Sequence, residues 1–286
     1  MHSLVLYNDR LVPATERILS PGQIGLLSGW GVFTTLRIYD GVPFAWERHW
    51  ARMAKDAALL HVPLTPDREE VYHRIAELIR ANHAEDSVAR LSVVRNQGGF
   101  WEGPGIASAA DLICLTANVK SWSDTVRLTV ARQARHAASR FAGTKILSWA
   151  YNLTWVEEAQ SRGFDEVILL NERDEVAECT SANIFAVLDG KVLTPPLASG
   201  CLPGVTRNIL LQEIGGVEEK TLRLEDLYRA GEVFITSTTR ELLAVSQIDD
   251  HPIPVTGHTR ARLQQAFTDY VRRYTAEHSV LAVQDR

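Results

Sequence analysis

Cysteine is scarce in this chain of 286 residues: only Cys114, Cys179 and Cys201 occur. The number is odd and no CxxC spacing appears, which argues against a disulfide framework and fits a reducing compartment. The cysteines and histidines show no zinc spacing. His49 and His61 lie near opposite ends of one helical stretch, so no metal site is expected. No uninterrupted apolar run approaches membrane-spanning length. The opening M-H-S-L-V-L-Y-N-D-R lacks the basic start and long apolar core of a signal peptide. A cytoplasmic setting is therefore expected. An excess of positive charge is also missing. The net charge of −5 allows a local anion site but gives no reason to expect a nucleic-acid partner. Gly98-Gly99-Phe100-Trp101 lacks the full GxGxxG fingerprint and does not argue for a dinucleotide. No internal repeat is evident.

What is present is ordinary globular composition, 45% apolar and 23% charged, on a chain long enough for two modest domains. Residues 3–7 and Leu11-Val12 flank the Asn8-Asp9 turn, as in a hairpin. Strands are predicted over 31–38, 88–95, 111–117, 125–133, 165–170, 183–188 and 232–238, from their β-branched and apolar runs. Asp40-Gly41 and Asp189-Gly190 are hairpin turns. Helices are predicted over 47–60, 68–82, 150–163, 205–214, 224–230 and 257–277. A Gly-rich loop fills 97–105. The polar stretch 120–124 reads as a linker between an N-terminal domain, 1–119, and a C-terminal domain, 125–286. Helices and strands mix in both, giving an α/β (α+β) fold class.

The residues that could carry chemistry concentrate between Gly143 and Arg207. Lys145 opens a predicted helix among Phe141, Ala142, Ile146, Leu147 and Trp149. An amine desolvated in this way deprotonates more easily, and a neutral amine can attack an aldehyde and form a Schiff base. Glu178 ends a strand beside Thr180-Ser181-Ala182-Asn183. A buried glutamate needs a partner, and a protonated pyridine nitrogen would serve. Gly204-Val205-Thr206 at a helix start offers N–H groups and a hydroxyl to a phosphate. Ser181, the Ser237-Thr238-Thr239 stretch and Arg52 could join them.

Several motifs resemble the class IV, fold-type IV pyridoxal-phosphate enzymes. They are G-x-G-V-F at 29–33, H-x-x-R at 49–52, Lys145, G-F-D-E at 163–166 and E-x-x-x-x-N-I-F at 178–185. T-P-P-L at 194–197, L-P-G-V-T-R at 202–207 and E-V-F-I-T-S-T-T-x-E at 232–241 complete the set. That family contains branched-chain and D-amino-acid aminotransferases, (R)-selective amine transaminases and aminodeoxychorismate lyases. The resemblance implies a two-domain fold, a pyridoxal 5'-phosphate cofactor and a homodimer. It implies Lys145 as the cofactor lysine and proton shuttle, and Glu178 as the ring-nitrogen partner. Arg52, Val205, Thr206 and Thr238 follow as phosphate ligands, with Ser181 and Thr239 beside them.

Departures from the family pattern bear on substrate. Position 30 is Trp and position 34 is Thr, where relatives often carry other residues, and F-T-T-L-R at 33–37 resembles the lyases. Phe100 and Glu102 stand where D-amino-acid enzymes place an Arg and a His. Arg37 and Arg95 are candidate carboxylate contacts. Trp30, Phe33 and Trp101 could line an apolar pocket. The resemblance therefore implies transamination between an amino acid or apolar primary amine and a 2-oxo acid. The alternatives are an aminodeoxychorismate lyase making 4-aminobenzoate and pyruvate, and a non-catalytic cofactor-binding or structural dimer.

Overall fold

A computed structural model describes residues 1–103 and 106–279. The end of the Gly-rich loop expected over 97–105, and the tail beyond residue 279, lie outside them. The chain divides into two compact units. One holds Met1–Lys120, Lys145–Trp149 and the described residues from Val271. The other holds Ser121–Thr144 and Ala150–Tyr270.

In the first unit, β1 (Leu4–Tyr7) and β2 (Arg10–Pro13) form the expected hairpin. The short α1 (Ile24–Ser28), β3 (Gly31–Tyr39), β4 (Val42–Pro43), α2 (Trp46–Leu59), α3 (Arg68–Asn82), β5 (Ser87–Arg95) and β6 (Ala110–Asn118) follow. The strands make one antiparallel sheet in the order β2-β1-β6-β5-β3-β4. Asn8 and Asp40 take the left-handed backbone that tight hairpins require, with φ of 54° and 50°. Met53 and Ala57 of α2, and Val71, Ile75 and Leu78 of α3, share one core with Leu36, Ile38, Leu91 and Val93 of the sheet. Asp67 starts α3 by accepting the N–H groups of Glu69 and Glu70.

The second unit contains β7 (Thr125–Arg135), α4 (Ala150–Ser161), β8 (Glu166–Asn171), β9 (Val176–Cys179), β10 (Asn183–Leu188) and β11 (Lys191–Thr194). Then come α5 (Val205–Ile209), β12 (Val217–Glu219), α6 (Leu224–Tyr228), β13 (Glu232–Ser237), β14 (Glu241–Ile248) and β15 (His251–Pro252). A wider helical turn carries α5 on through Ile214. The sheet runs β12-β11-β10-β13-β14-β7-β8-β9, with β15 against β14. The β14–β7, β7–β8 and β11–β12 pairs are parallel and the other pairs antiparallel. The last helix, α7 (Thr259–Ser279), starts in this unit; from Val271 its residues belong to the first.

Two expectations about Lys145 need correction. It groups with the first unit, not with the C-terminal domain, and it opens no helix. The reason is a short extended pairing with the start of β3. Phe33 donates its N–H to the Lys145 carbonyl at 3.0 Å, Leu147 donates to the Gly31 carbonyl at 3.0 Å, and Ile146 bridges Val32. This pairing explains the glycines of the G-x-G motif. A Cβ on Gly29 would lie 2.4 Å from the Ser148 hydroxyl, and one on Gly31 2.4 Å from a Leu147 methyl carbon.

Candidate active site

In the first unit, α2 and β3 build a polar cluster around the Lys145 segment. α2 presents His49, Arg52 and Asp56 at helical spacing, which sets them along neighbouring turns. Asp56 accepts the Lys145 N–H at 3.0 Å. The Thr34 hydroxyl accepts from Arg52 at 2.8 Å and lies 2.7 Å from His49 Nδ1. That hydroxyl can donate to Nδ1 or accept from it, according to the tautomer of the imidazole. Burial pushes the His49 imidazole well below its ordinary pKa, and the charges of Arg52 and Lys145 add to the effect. Burial also lowers Arg52, to about 10, against the pull of Asp56. The guanidinium stays charged at neutral pH. The Asp56 carboxyl is raised by burial; its hydrogen bond from Lys145, then Arg52, Lys55 and Lys145 as charges, oppose the rise.

The Lys145 ammonium group lies 4.5 Å from the centre of the Phe33 ring and 5.8 Å from that of Trp149. Phe33 and Trp149 meet edge to face. The guanidinium of Arg90, on β5, lies 3.7 Å from the Phe33 ring centre. Among the described residues no carboxylate pairs with Arg90, and burial lowers its pKa. Sequence reasoning missed Arg90. The alternation of β5 places it next to buried Leu91 and Ala89 without marking it as different from any other strand arginine.

In the second unit, Glu178 is 7% exposed and already has partners. One carboxylate oxygen accepts from Arg135 Nε at 3.0 Å and the other from the Leu202 N–H at 3.0 Å. Arg135 also donates to the Asn152 side-chain carbonyl, and Asn152 donates to the Thr180 carbonyl at 2.9 Å. The Ser181 hydroxyl donates to Glu166 at 2.6 Å and accepts from Arg240 at 2.9 Å. Its proton is spent within the protein, so Ser181 has none to give a phosphate. The start of α5 is different. Val205 and Thr206 are both 5% exposed, and no side chain caps the helix at Gly204. A buried helix start with uncapped N–H groups calls for an acceptor. Thr238 and Thr239 lie in the turn after β13, where the Thr239 carbonyl accepts from Trp122.

The candidate substrate residues fare unevenly. Phe33 is buried beside Lys145. Trp30 donates its indole N–H to the Leu60 carbonyl and stacks under Arg95, 3.9 Å away. Arg95 donates to the Gln97 and His61 carbonyls, which anchors its loop. Arg37 is engaged by Asp86 and by the carbonyls of Ile38 and Ser87. Trp101 is 71% exposed and pairs edge to face with Phe100.

Comparison with known proteins places this arrangement. The family description "Amino-transferase class IV" matches residues 31–248. The chain belongs to the class IV aminotransferase family. Its similarity to D-alanine aminotransferase of Bacillus licheniformis is 30% identity over 92% of this chain and 96% of the relative. With the branched-chain-amino-acid aminotransferase of Escherichia coli it shares 28% over 92% and 91%. With aminodeoxychorismate lyase of Bacillus subtilis it shares 27% over 86% and 87%. The solved T.th. branched-chain amino acid aminotransferase with pyridoxamine 5'-phosphate superposes with a TM-score of 0.86, at 26% identity, over 96% of this chain and 97% of that one. This class IV chain thus has the two-domain α/β fold of the fold-type IV pyridoxal-phosphate enzymes.

Proposed function

We propose that this class IV protein is a pyridoxal-phosphate-dependent transaminase moving an amino group between an amino acid and a 2-oxo acid. The observation that carries the reading is the buried, uncapped start of α5, which fits a phosphate, in a family with a solved relative that holds such a cofactor. The guanidinium of Arg52 supports it, because it stays charged at neutral pH and its planar donors suit a phosphate. When bound, pyridoxal 5'-phosphate supplies an aldehyde and an electron-poor ring that stabilises negative charge at the substrate's α-carbon. The Lys145 amine would take the aldehyde and, once displaced by substrate, move the proton at that carbon. Glu178, fixed in place by Arg135 and the Leu202 N–H, would hold the proton on the ring nitrogen. Arg52, Val205, Thr206, Thr238 and Thr239 would hold the phosphate. Arg90, a half-buried cation beside Phe33 and Lys145, favours a substrate bearing a carboxylate over a simple apolar amine. A homodimer and a cytoplasmic setting belong to the same reading, supported by the family and by three buried, unlinked cysteines.

A paired assay tests the reaction. One arm offers L- and D-amino acids and (R)-amines and follows conversion of the cofactor to its pyridoxamine form. The other offers aminodeoxychorismate and follows 4-aminobenzoate. Conversion by amino acids, lost in Lys145→Ala, is the expected result. Fast 4-aminobenzoate release with negligible conversion across the panel would make the protein a lyase. Cofactor binding with neither reaction would make it a non-catalytic carrier.

A further inference from the structure

The second unit contains a buried ion pair that the reaction itself does not use. Glu166, at the start of β8, is 1% exposed, and Arg240 follows Thr239 directly in the turn after β13. One Arg240 nitrogen donates to Glu166 at 3.1 Å. Another donates to the Ser181 hydroxyl at 2.9 Å and the Ser181 carbonyl at 3.3 Å. Glu166 in turn accepts from the hydroxyls of Thr180 and Ser181. The guanidinium lies 4.1 Å from the ring centre of Trp122, whose indole N–H donates to the Thr239 carbonyl at 2.8 Å. The turn is fixed from its other side as well. The Ser237 hydroxyl accepts the Arg240 N–H at 3.2 Å, and Gln264 holds both the Leu242 N–H and the Glu241 carboxylate. Glu241 sits in the left-handed region, with φ of 50°. A non-glycine residue held there is strained, and such strain persists only where surrounding contacts over-determine the backbone.

We infer that Arg240 is a positioning residue that locks the Thr238–Thr239 turn for the cofactor phosphate. The inference rests on the phosphate assignment proposed above. A single guanidinium fork joins three elements: the strand start at Glu166, the Thr180–Ser181 turn and the Thr238–Thr239 turn. Its planar, fixed donors can hold these at one spacing, which a flexible lysine ammonium cannot reproduce. This also accounts for the commitment of the Ser181 hydroxyl: it belongs to the clamp, and Thr238 and Thr239 are what the clamp presents. Because that turn is assigned to the phosphate, loosening it weakens the hold on that group and leaves the hold on the pyridine ring largely intact.

The test compares two probes on cofactor-stripped protein, pyridoxal 5'-phosphate and phosphate-free pyridoxal, each titrated by visible absorbance. Arg240→Lys keeps the charge and removes the fork. Arg240→Met with Glu166→Gln removes both charges, so that no buried carboxylate is left alone and folding is preserved. Circular dichroism verifies the fold. Both variants should bind pyridoxal 5'-phosphate roughly ten-fold or more weakly, the coupling expected within one hydrogen-bonded network, while pyridoxal binding changes less than about two-fold. Equal losses for the two probes would reduce Arg240 to a structural ion pair and overturn the inference, as would unchanged affinity for both. A wild-type protein with no preference for the phosphorylated probe would overturn the phosphate assignment itself, and the inference with it.

Discussion

At the scale of single residues, Glu178 shows both what sequence can reveal and where it stops. Its position at the end of a strand, beside a Thr-Ser-Ala-Asn turn, was legible, and β9 ends one residue after it. The need for a partner was legible too. The partner's identity was not: Arg135 lies 43 positions earlier in the chain, on a strand that reaches it only after folding. Arg37, Arg95 and Arg90 teach the same lesson. All three are strand arginines, and only tertiary contacts separate the two that are spent on carbonyls or Asp86 from the one that is not. Glu178→Gln should therefore cost stability as well as turnover. An amide carbonyl can still accept from Leu202 or Arg135, but its NH2 then faces the remaining donor. A buried mismatch of this kind costs on the order of 1–3 kcal/mol. Glu178→Gln with Arg135→Gln should recover much of the thermal stability and none of the single-turnover rate. Full recovery of the rate would remove Glu178 from the chemistry.

At the scale of elements, α2 and α3 were legible because their apolar residues recur at helical spacing and Asp67 supplies a cap. The hairpins were legible from their turn pairs. β14 was not expected. Its sequence, E-L-L-A-V-S-Q-I, has no strict alternation and no Gly or Pro at its start, yet it pairs with both β13 and β7 near the middle of the sheet. The segment at Lys145 was misread as a helix for a similar reason: its pairing partner lies more than a hundred positions away at Gly31–Phe33. α2 also ties core to site. Met53 is 1% exposed and packed in the core, and it stands between Arg52 and Asp56 on the same helix. Met53→Ala should destabilise the protein by about 2–5 kcal/mol through the cavity it leaves. It should also weaken cofactor retention, because Arg52 and Asp56 lose their fixed register. Denaturant unfolding and cofactor loss on dialysis would measure the two effects. A destabilised variant that retains cofactor like wild type would uncouple the core from the site.

At the scale of the whole molecule, the buried His49 makes stability depend on pH. In the folded protein its imidazole resists protonation, chiefly through burial and then through Arg52 and Lys145. In the unfolded chain it would titrate near its ordinary value of 6.5. Its folded pKa is depressed, so the unfolded state takes up a proton that the folded state refuses. Stability from this source is complete above the unfolded pKa and is lost as pH falls from there toward the depressed folded value. The slope approaches about 1.4 kcal/mol per pH unit for one such group. Asp56 acts in the opposite sense. Its carboxyl is raised above 3.8 by burial, so the folded protein takes that proton first and gains stability as pH falls through the raised value. His49→Gln separates the two, since a glutamine amide can hydrogen-bond the Thr34 hydroxyl as donor or acceptor and carries no charge at any pH. Urea unfolding of the cofactor-free protein between about pH 8 and about pH 5 should show wild type losing stability faster than His49→Gln, by roughly 1 kcal/mol or more over the interval. Parallel curves for the two proteins would mean that His49 is protonated as readily folded as unfolded, contrary to its burial between Arg52 and the Lys145 segment.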